Sequence, residues 1–236
     1  MNPKAGAQRT QDREAYFGPE FFRFLRDLAQ HNDRTWFQEN KDRYERSVLG
    51  PSLRFIEVMG PPLARLSSHV VADPRPFGGS LFRIYRDTRF SRDKSPYKTN
   101  VGIHFYHDGA GGPKAHLPGF YLHLAPGDIA AYSGMWRPEA VELERIRAAI
   151  ARPSSEWKKI RAAGILTDGE SFARVPRNYP PDHPFAVDLR RKDFFASQKF
   201  TEAQVTSEKF PATFLATCRR LDPLNRFLAG AIGLDW

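Results

Sequence analysis

Between residues 80 and 135 the hydrophobic pattern leaves the period of a helix for the period of a strand, and helical patterns flank that block on both sides. Four runs carry the alternation: Ser80 to Arg86, Thr99 to Tyr106, Gly119 to Ala125 and Asp128 to Met135. Pro126-Gly127 is a turn dipeptide, so the third and fourth runs should form a hairpin. Gly109, Gly111, Gly112 and Pro113 make a loose connection between the second and third. Strands gathered in one block argue against an alternating, doubly wound fold. The expected class is α+β. A mainly antiparallel central sheet of about four to six strands should be packed on one face by helices from both ends of the chain.

The flanks supply those helices. Phe21, Phe24, Leu25 and Leu28 stand at helical spacing within Glu20 to Gln30. Asn32-Asp33 then offers an N-cap for a helix over Arg34 to Val48. Gly50-Pro51 starts a third, with a stripe of Phe55, Ile56, Met59, Leu63 and Leu66 that Gly60-Pro61-Pro62 should break or kink. Beyond the sheet, Pro138 to Ala151 places Val141, Ile146 and Ile150 on one stripe, and Ser155 to Ala163 reads as another helix. Arg174 to Pro184 holds four prolines and reads as a loop, Phe194 to Phe200 as an edge strand, and Ser207 to Ile232 as a helix broken at Asp222-Pro223.

With 236 residues the chain can bury a core without staples, and its 19 Phe predict an aromatic-rich one. Residues 18–236 are expected to form a single α+β domain. Met1 to Gln11 is polar and lacks an apolar core, so residues 1–17 are read as a mobile tail and not as a secretory signal. Cys218 is the sole cysteine, which excludes an internal disulfide and any thiolate zinc site and suits a reducing, cytoplasmic location. No stretch of about 18 apolar residues exists, so no membrane span or membrane partner is expected. The net charge of +9 favours anionic partners: phosphorylated small molecules, nucleic acid or an acidic protein.

Side chains alternate across a strand, so parity sorts each run into two faces. Phe82 and Ile84, then Val101, Ile103 and Phe105, then Phe120, Leu122 and Leu124, then Ile129 and Ala131 make an apolar set for the helices. The opposite parity collects Arg83, Tyr85, His104, Tyr106, Tyr121, His123 and Tyr132. A plainly solvated strand face carries Thr, Lys, Glu and Ser instead. Tyrosines, histidines and arginine together suit a concave, hydrogen-bonding surface, although Tyr and His also favour exposed strands for their own sake.

Charge concentrates beside that face. From Arg83 to Lys98 there are six Lys or Arg and two Asp, interleaved with Tyr85, Phe90 and Tyr97. The planar guanidinium fork matches phosphate or carboxylate oxygens, and Lys supplies a point charge. The plainer alternative is a solvated basic loop in which Asp87 and Asp93 pair with arginines.

The run Phe82-Arg83-Ile84-Tyr85-Arg86-Asp87-Thr88-Arg89-Phe90-Ser91, followed by Asp93-Lys94-Ser95-Pro96-Tyr97-Lys98-Thr99, resembles the signature of DUF2461, a family of uncharacterised bacterial and fungal proteins. Phe24-Leu25, Asn32, Trp36-Phe37, Tyr44, Pro118-Gly119-Phe120-Tyr121, Gly134-Met135-Trp136, Pro176-Arg177 with Tyr179, Asp182-His183-Pro184 and the Phe-rich end match as well. The resemblance spans about residues 18 to 230. One departure is Asn178, where the family pattern has Gly; Asn also tolerates positive φ. The resemblance implies a grouping and no activity.

Other chemistry is weakly signalled. His104 with His107, or His116 with His123, lacks a familiar metal spacing, so no metal or other cofactor is expected. Gly78-Gly79-Ser80 precedes a strand and not a helix, unlike a phosphate-cradling loop. Cys218 sits in an apolar helical context, and Ser133 lacks a nucleophile elbow. The leading expectation is a pocket for a phosphorylated or carboxylated small ligand, as a binding site or as an enzyme's. Arg83, Arg86, Arg89, Lys94 and Lys98 would hold the anion. Tyr85, Tyr97 and Tyr121 would orient the rest, Arg177 would close the site from its proline-rich loop together with Tyr179 and His183, and Trp136 would wall it. His104 and His123 are the acid–base candidates. The alternatives are a nucleic-acid-binding module using the same basic, aromatic surface, and a basic segment that docks an acidic protein.

Overall fold

The computed structural model describes residues 16–110, 112, 116–153, 155–167 and 169–236. Residues 1–15 of the expected tail, and Gly111 and Pro113 of the expected loop, lie outside them. The tail boundary moves back: Phe17 has 0% exposure and meets Phe21 and Phe55 at 5.0 Å.

Five strands form one sheet in the order β1-β2-β3-β4-β5: β1 (Val70–Val71), β2 (Val101–His107), β3 (Gly119–Ala125), β4 (Asp128–Met135) and β5 (Phe194–Phe200). Every neighbouring pair is antiparallel. Pro126-Gly127 turns β3 into β4, with Gly127 at φ 78°. β5 takes the edge position expected of it. One rung runs across the sheet as His104, Tyr121, Tyr132 and Ser197, so the polar parity of three strands meets in a line.

The run Ser80 to Arg86 is not a continuous strand, which corrects the first of the four assignments. It makes two short pairings. Phe82 N–H donates to Gly102 and His104 N–H to Ser80, and then Lys98 N–H donates to Ile84 and Arg86 N–H to Pro96. Between them the chain leaves the edge of β2 and folds back on its own continuation. The alternation slips there: Leu81 and Ile84, three apart, both enter the core, and Phe82 turns to the opposite face.

Helices cover the other side of the sheet. They are α1 (Pro19–Gln30), α2 (Arg34–Glu39), α3 (Lys41–Tyr44), α4 (Gly50–Ala64), α5 (Ala140–Ala151), α6 (Ser155–Ala162), α7 (Ala186–Leu189), α8 (Glu202–Val205) and α9 (Phe210–Ile232). Phe17, Phe21, Phe24, Phe55, Phe105, Phe120, Phe210 and Phe214 share one cluster. Met135, Ile146, Ile150, Trp157, Phe194, Leu224 and Leu228 share another, and α9 feeds both.

The breaks expected at the prolines do not occur. Pro61 and Pro62 lie inside α4, and Pro223 lies inside α9 without a break. A helical proline costs about 3 kcal/mol or more. Burying one large aliphatic or aromatic side chain returns about 1.5–3 kcal/mol. Leu221, Leu224 and Leu228 are buried around Pro223, and Met59 and Leu63 around Pro61, so tertiary burial outweighs the local penalty. Two smaller expectations also change. The helix expected over Arg34 to Val48 is divided at Asn40 and ends in a π-helical turn over Glu45–Leu49, and Val141 points to solvent at 66% exposure. Asp33 does cap α2, accepting from Trp36 N–H at 3.0 Å. No helix among the described residues is long and apolar enough to cross a membrane.

Candidate functional site

The helices leave the second face of the sheet open, and the chain furnishes that face with rings. Tyr121 lies 5.8 Å from Phe82, 6.2 Å from Tyr132 and 6.4 Å from both His104 and His123, centroid to centroid. Phe195 on β5 joins Tyr132 at 6.1 Å. These rings, with His116, Leu117, Asp128 and Trp136, line a cavity of about 610 Å³. Its size is in the range of small-molecule sites. The tyrosine packs down because Gly102 has no side chain. A Cβ there would stand 2.2 Å from the Tyr121 hydroxyl oxygen.

Burial favours the neutral form of three groups in the cavity, Tyr121, Tyr132 and His123. Burial, reinforced by Tyr132, pushes the Tyr121 phenol up to about 12. Burial also raises Tyr132, with Asp128 adding to it. Burial lowers His123, although Asp128 works the other way, with Nε2 3.8 Å from Oδ2. The His123 imidazole is therefore neutral at neutral pH and able to accept a proton. His116 Nδ1 donates to the Trp136 carbonyl at 2.7 Å, which leaves Nε2 as an acceptor.

Next to this cavity, sharing Phe82 and Tyr121 with it, is a recess of about 350 Å³ lined also by Arg86, Asp87, Lys98, Asn100 and Gly102. Its charges are not equivalent. Arg86 pairs with Asp93. Asp87 pairs with Arg89 at 2.7 Å, and that guanidinium holds the carboxyl down to about 2. Lys98 has no carboxylate within ion-pair distance among the described residues; its ammonium stands 5.6 Å from the centre of the Phe82 ring. Burial, and then Arg83, lower the Lys98 pKa, so its charge is incompletely solvated and incompletely compensated.

Of the residues expected in one site, His104, His123 and Tyr121 meet in the larger cavity, and Arg86 and Lys98 in the recess. The others lie elsewhere. Tyr85 and Tyr97 go to the helical side, where Tyr97 stacks on Phe37 at 4.1 Å and has 3% exposure. Asn32 holds that arrangement by bonding both backbone groups of Tyr97 at 3.0 Å. Arg83, Arg89 and Lys94 are exposed and line neither space; Lys94 Nζ donates to the Thr88 carbonyl. Arg177 is exposed in a loop that packs Tyr179 and Phe185 on the second core cluster, away from the open face. Nor does that loop use positive φ at Asn178. Phe82, Asn100, Asp128 and Phe195 are lining residues that sequence reasoning missed. Extending the parity argument to β5 would have found Phe195, which has the same parity as Ser197 opposite Tyr132; nothing local pointed to Phe82.

His69, His107 and Asp108 are the one group among the described residues with three ligand-type atoms close together. Both ring nitrogens of His107 are engaged there. Nε2 donates to the Asp235 carbonyl at 2.7 Å, and Nδ1 accepts Gly109 N–H at 3.0 Å. Trp236 stacks on the same ring at 5.9 Å, so the group works as a clasp on the C-terminal segment. Cys218 is buried and its thiol pKa is raised by burial, so it is no nucleophile.

A family model described as "Conserved hypothetical protein (DUF2461)" matches residues 20–227, and the chain belongs to that family. Comparison with curated proteins and with solved structures gave no match.

Proposed function

We propose that this protein binds a small phosphorylated or carboxylated ligand on the open face of its sheet, with the anionic group in the recess at Lys98 and the body in the ring-lined cavity. The observation that carries this reading is Lys98: a half-buried ammonium with no carboxylate partner among the described residues, in the recess and beside Phe82, a ring that lines both spaces. An anion placed there restores the stabilisation that burial removes. Arg86 and Asp87 line the same recess but are already paired, with Asp93 and Arg89, so Lys98 carries its uncompensated charge. Should the ligand also react, His123 is the group in position to accept a proton, with His104 on the neighbouring strand. A cytoplasmic location accords with the single buried thiol.

A thermal-shift panel of phosphates, carboxylates and oligonucleotides tests this. A ligand at 100 times its Kd adds about 2.7 kcal/mol, which is roughly 5–11 °C in a chain of this size. Lys98→Met should abolish the shift, and Lys94→Ala, which alters an exposed loop cation, should keep it. No response to any anion, or a response that survives Lys98→Met, overturns the proposal. A response to oligonucleotides alone, falling steeply with salt, would identify the surface as a nucleic-acid platform instead.

A further inference from the structure

The end of β4 is built to hold one exposed ring. Trp136 lines the larger cavity yet is 60% exposed, an unusual place to leave an indole. The backbone does not drift there. Arg137 has φ 52°, the one positive value for a non-glycine residue among those described. Such a conformation is costly and persists only where neighbours impose it. Asp193, 2% exposed, imposes it: one carboxylate oxygen accepts Arg137 N–H at 2.8 Å and the other accepts Glu170 N–H at 3.2 Å. Ahead of Trp136, Gly134 has φ 119°, where a Cβ would collide with the Phe194 carbonyl at 2.2 Å.

The ring itself is held as well. The Arg137 guanidinium carbon stands 5.2 Å from its centre, and that guanidinium is anchored on Glu170 at 3.2 Å. The Trp136 carbonyl takes the His116 ring N–H. A buried carboxylate, a strained turn and a cation therefore all serve to fix an aromatic surface that the core does not use.

We infer that the ligand carries a planar heteroaromatic ring, stacked on Trp136 among Tyr132 and Phe195, joined to the anion that Lys98 holds. A plain hydrocarbon body would need neither His116 Nε2 nor the His123–Asp128 pair along the wall. A heteroaromatic edge, with its own donors and acceptors, uses both. A cavity of about 610 Å³, adjoining the recess with which it shares Phe82 and Tyr121, has room for the ring and sugar of a ligand of nucleoside monophosphate size. This inference rests on the anion-binding reading above and adds the chemistry of the ligand's other end.

Nucleoside monophosphates, ribose 5-phosphate and inorganic phosphate are the probes. Affinity is read by calorimetry and by quenching of tryptophan fluorescence, in the wild type, Trp136→Leu and Arg137→Gly. At least one nucleoside monophosphate should bind about tenfold or more tightly than ribose 5-phosphate, as expected for one stacked base. Its binding should quench fluorescence. Trp136→Leu should remove that advantage and the quenching but leave the affinity for ribose 5-phosphate unchanged, which also shows that the variant is folded. Arg137→Gly keeps the backbone conformation and should weaken only the ring-bearing probe. Equal affinity for nucleotide and sugar phosphate, or equal losses for both in Trp136→Leu, overturns this inference and leaves anion binding at Lys98 standing. A single-stranded oligonucleotide that quenches Trp136 where mononucleotides do not bind overturns it too. Absence of binding by all three probes removes this inference, and anion binding falls with it only if carboxylates and other phosphates also fail.

Discussion

Gly102→Ala should destabilise the protein through one contact, and the contact can be isolated. The backbone at residue 102 needs no glycine conformation, because its φ is not positive. The constraint is the ring above it. A Cβ would meet the Tyr121 Oη at 2.2 Å, Cζ at 2.9 Å and Cε2 at 3.0 Å. To reach an ordinary 3.4 Å contact the hydroxyl must retreat from 2.2 Å, a movement of about 1.2 Å. The ring cannot slide freely, since Phe82, Tyr132, His104 and His123 surround it within 6.4 Å. Overpacking of this kind costs about 1–3 kcal/mol, which is roughly 2–12 °C in melting temperature for a chain of this length. Calorimetry or urea denaturation of a double-mutant cycle tests the assignment. In a Tyr121→Ala background the clash is gone, and alanine in a strand interior is better than glycine by about 0.5–1 kcal/mol, so the sign should reverse. Tyr121→Phe removes only the hydroxyl contact and should give an intermediate cost. If Gly102→Ala destabilises the Tyr121→Ala protein as much as the wild type, the ring contact is not the reason for the glycine.

Three further outcomes are expected. In an alkaline absorbance titration, Tyr44 and Tyr121, both raised to about 12 chiefly by burial, should ionise after most of the eight tyrosines, and Tyr121→Phe should remove one late step. Because their folded pKa values lie above the ordinary 10, the folded state keeps these protons longer than the unfolded state, so stability should hold below pH 10 and fall as pH rises toward 12; a flat profile there would contradict the assignment. Asp188→Ala should cost about 3–5 kcal/mol by urea denaturation, because it leaves the buried Arg191 guanidinium and the Trp157 indole N–H without the carboxylate they share; a loss under about 1 kcal/mol would show that water or rearrangement replaces it.

The sheet and its two faces were legible from local sequence. Period two over residues 101 to 135 is a direct consequence of strand geometry. It placed Ile103, Phe105, Phe120, Leu122 and Leu124 in the core and His104, Tyr121, His123 and Tyr132 opposite, where they are found. The same parity failed at Phe82 and Tyr85, and Tyr97, expected in the site from the basic segment, went to the helical side as well. Between residues 82 and 84 the chain exchanges one partner for another, and a change of partner leaves no mark on local period. The Asn32 side chain that holds Tyr97 lies 65 residues away.

Charge divides along the same line. Composition alone determined that this chain is basic, and spacing alone determined that six cations gather between Arg83 and Lys98. Which of them enters a recess without a carboxylate partner was decided by tertiary structure. Arg86 and Arg89 are neutralised by aspartates within their own loop, while Lys98 is carried into a recess against Phe82. Trp136 is the second such case. Its motif was visible, but its exposure depends on a buried aspartate 57 residues further on in sequence, Asp193, holding the turn behind it. Periodicity is a property of the backbone and survives in one dimension. Desolvation and ion pairing depend on what surrounds a group in three dimensions, and only the folded chain supplies those neighbours.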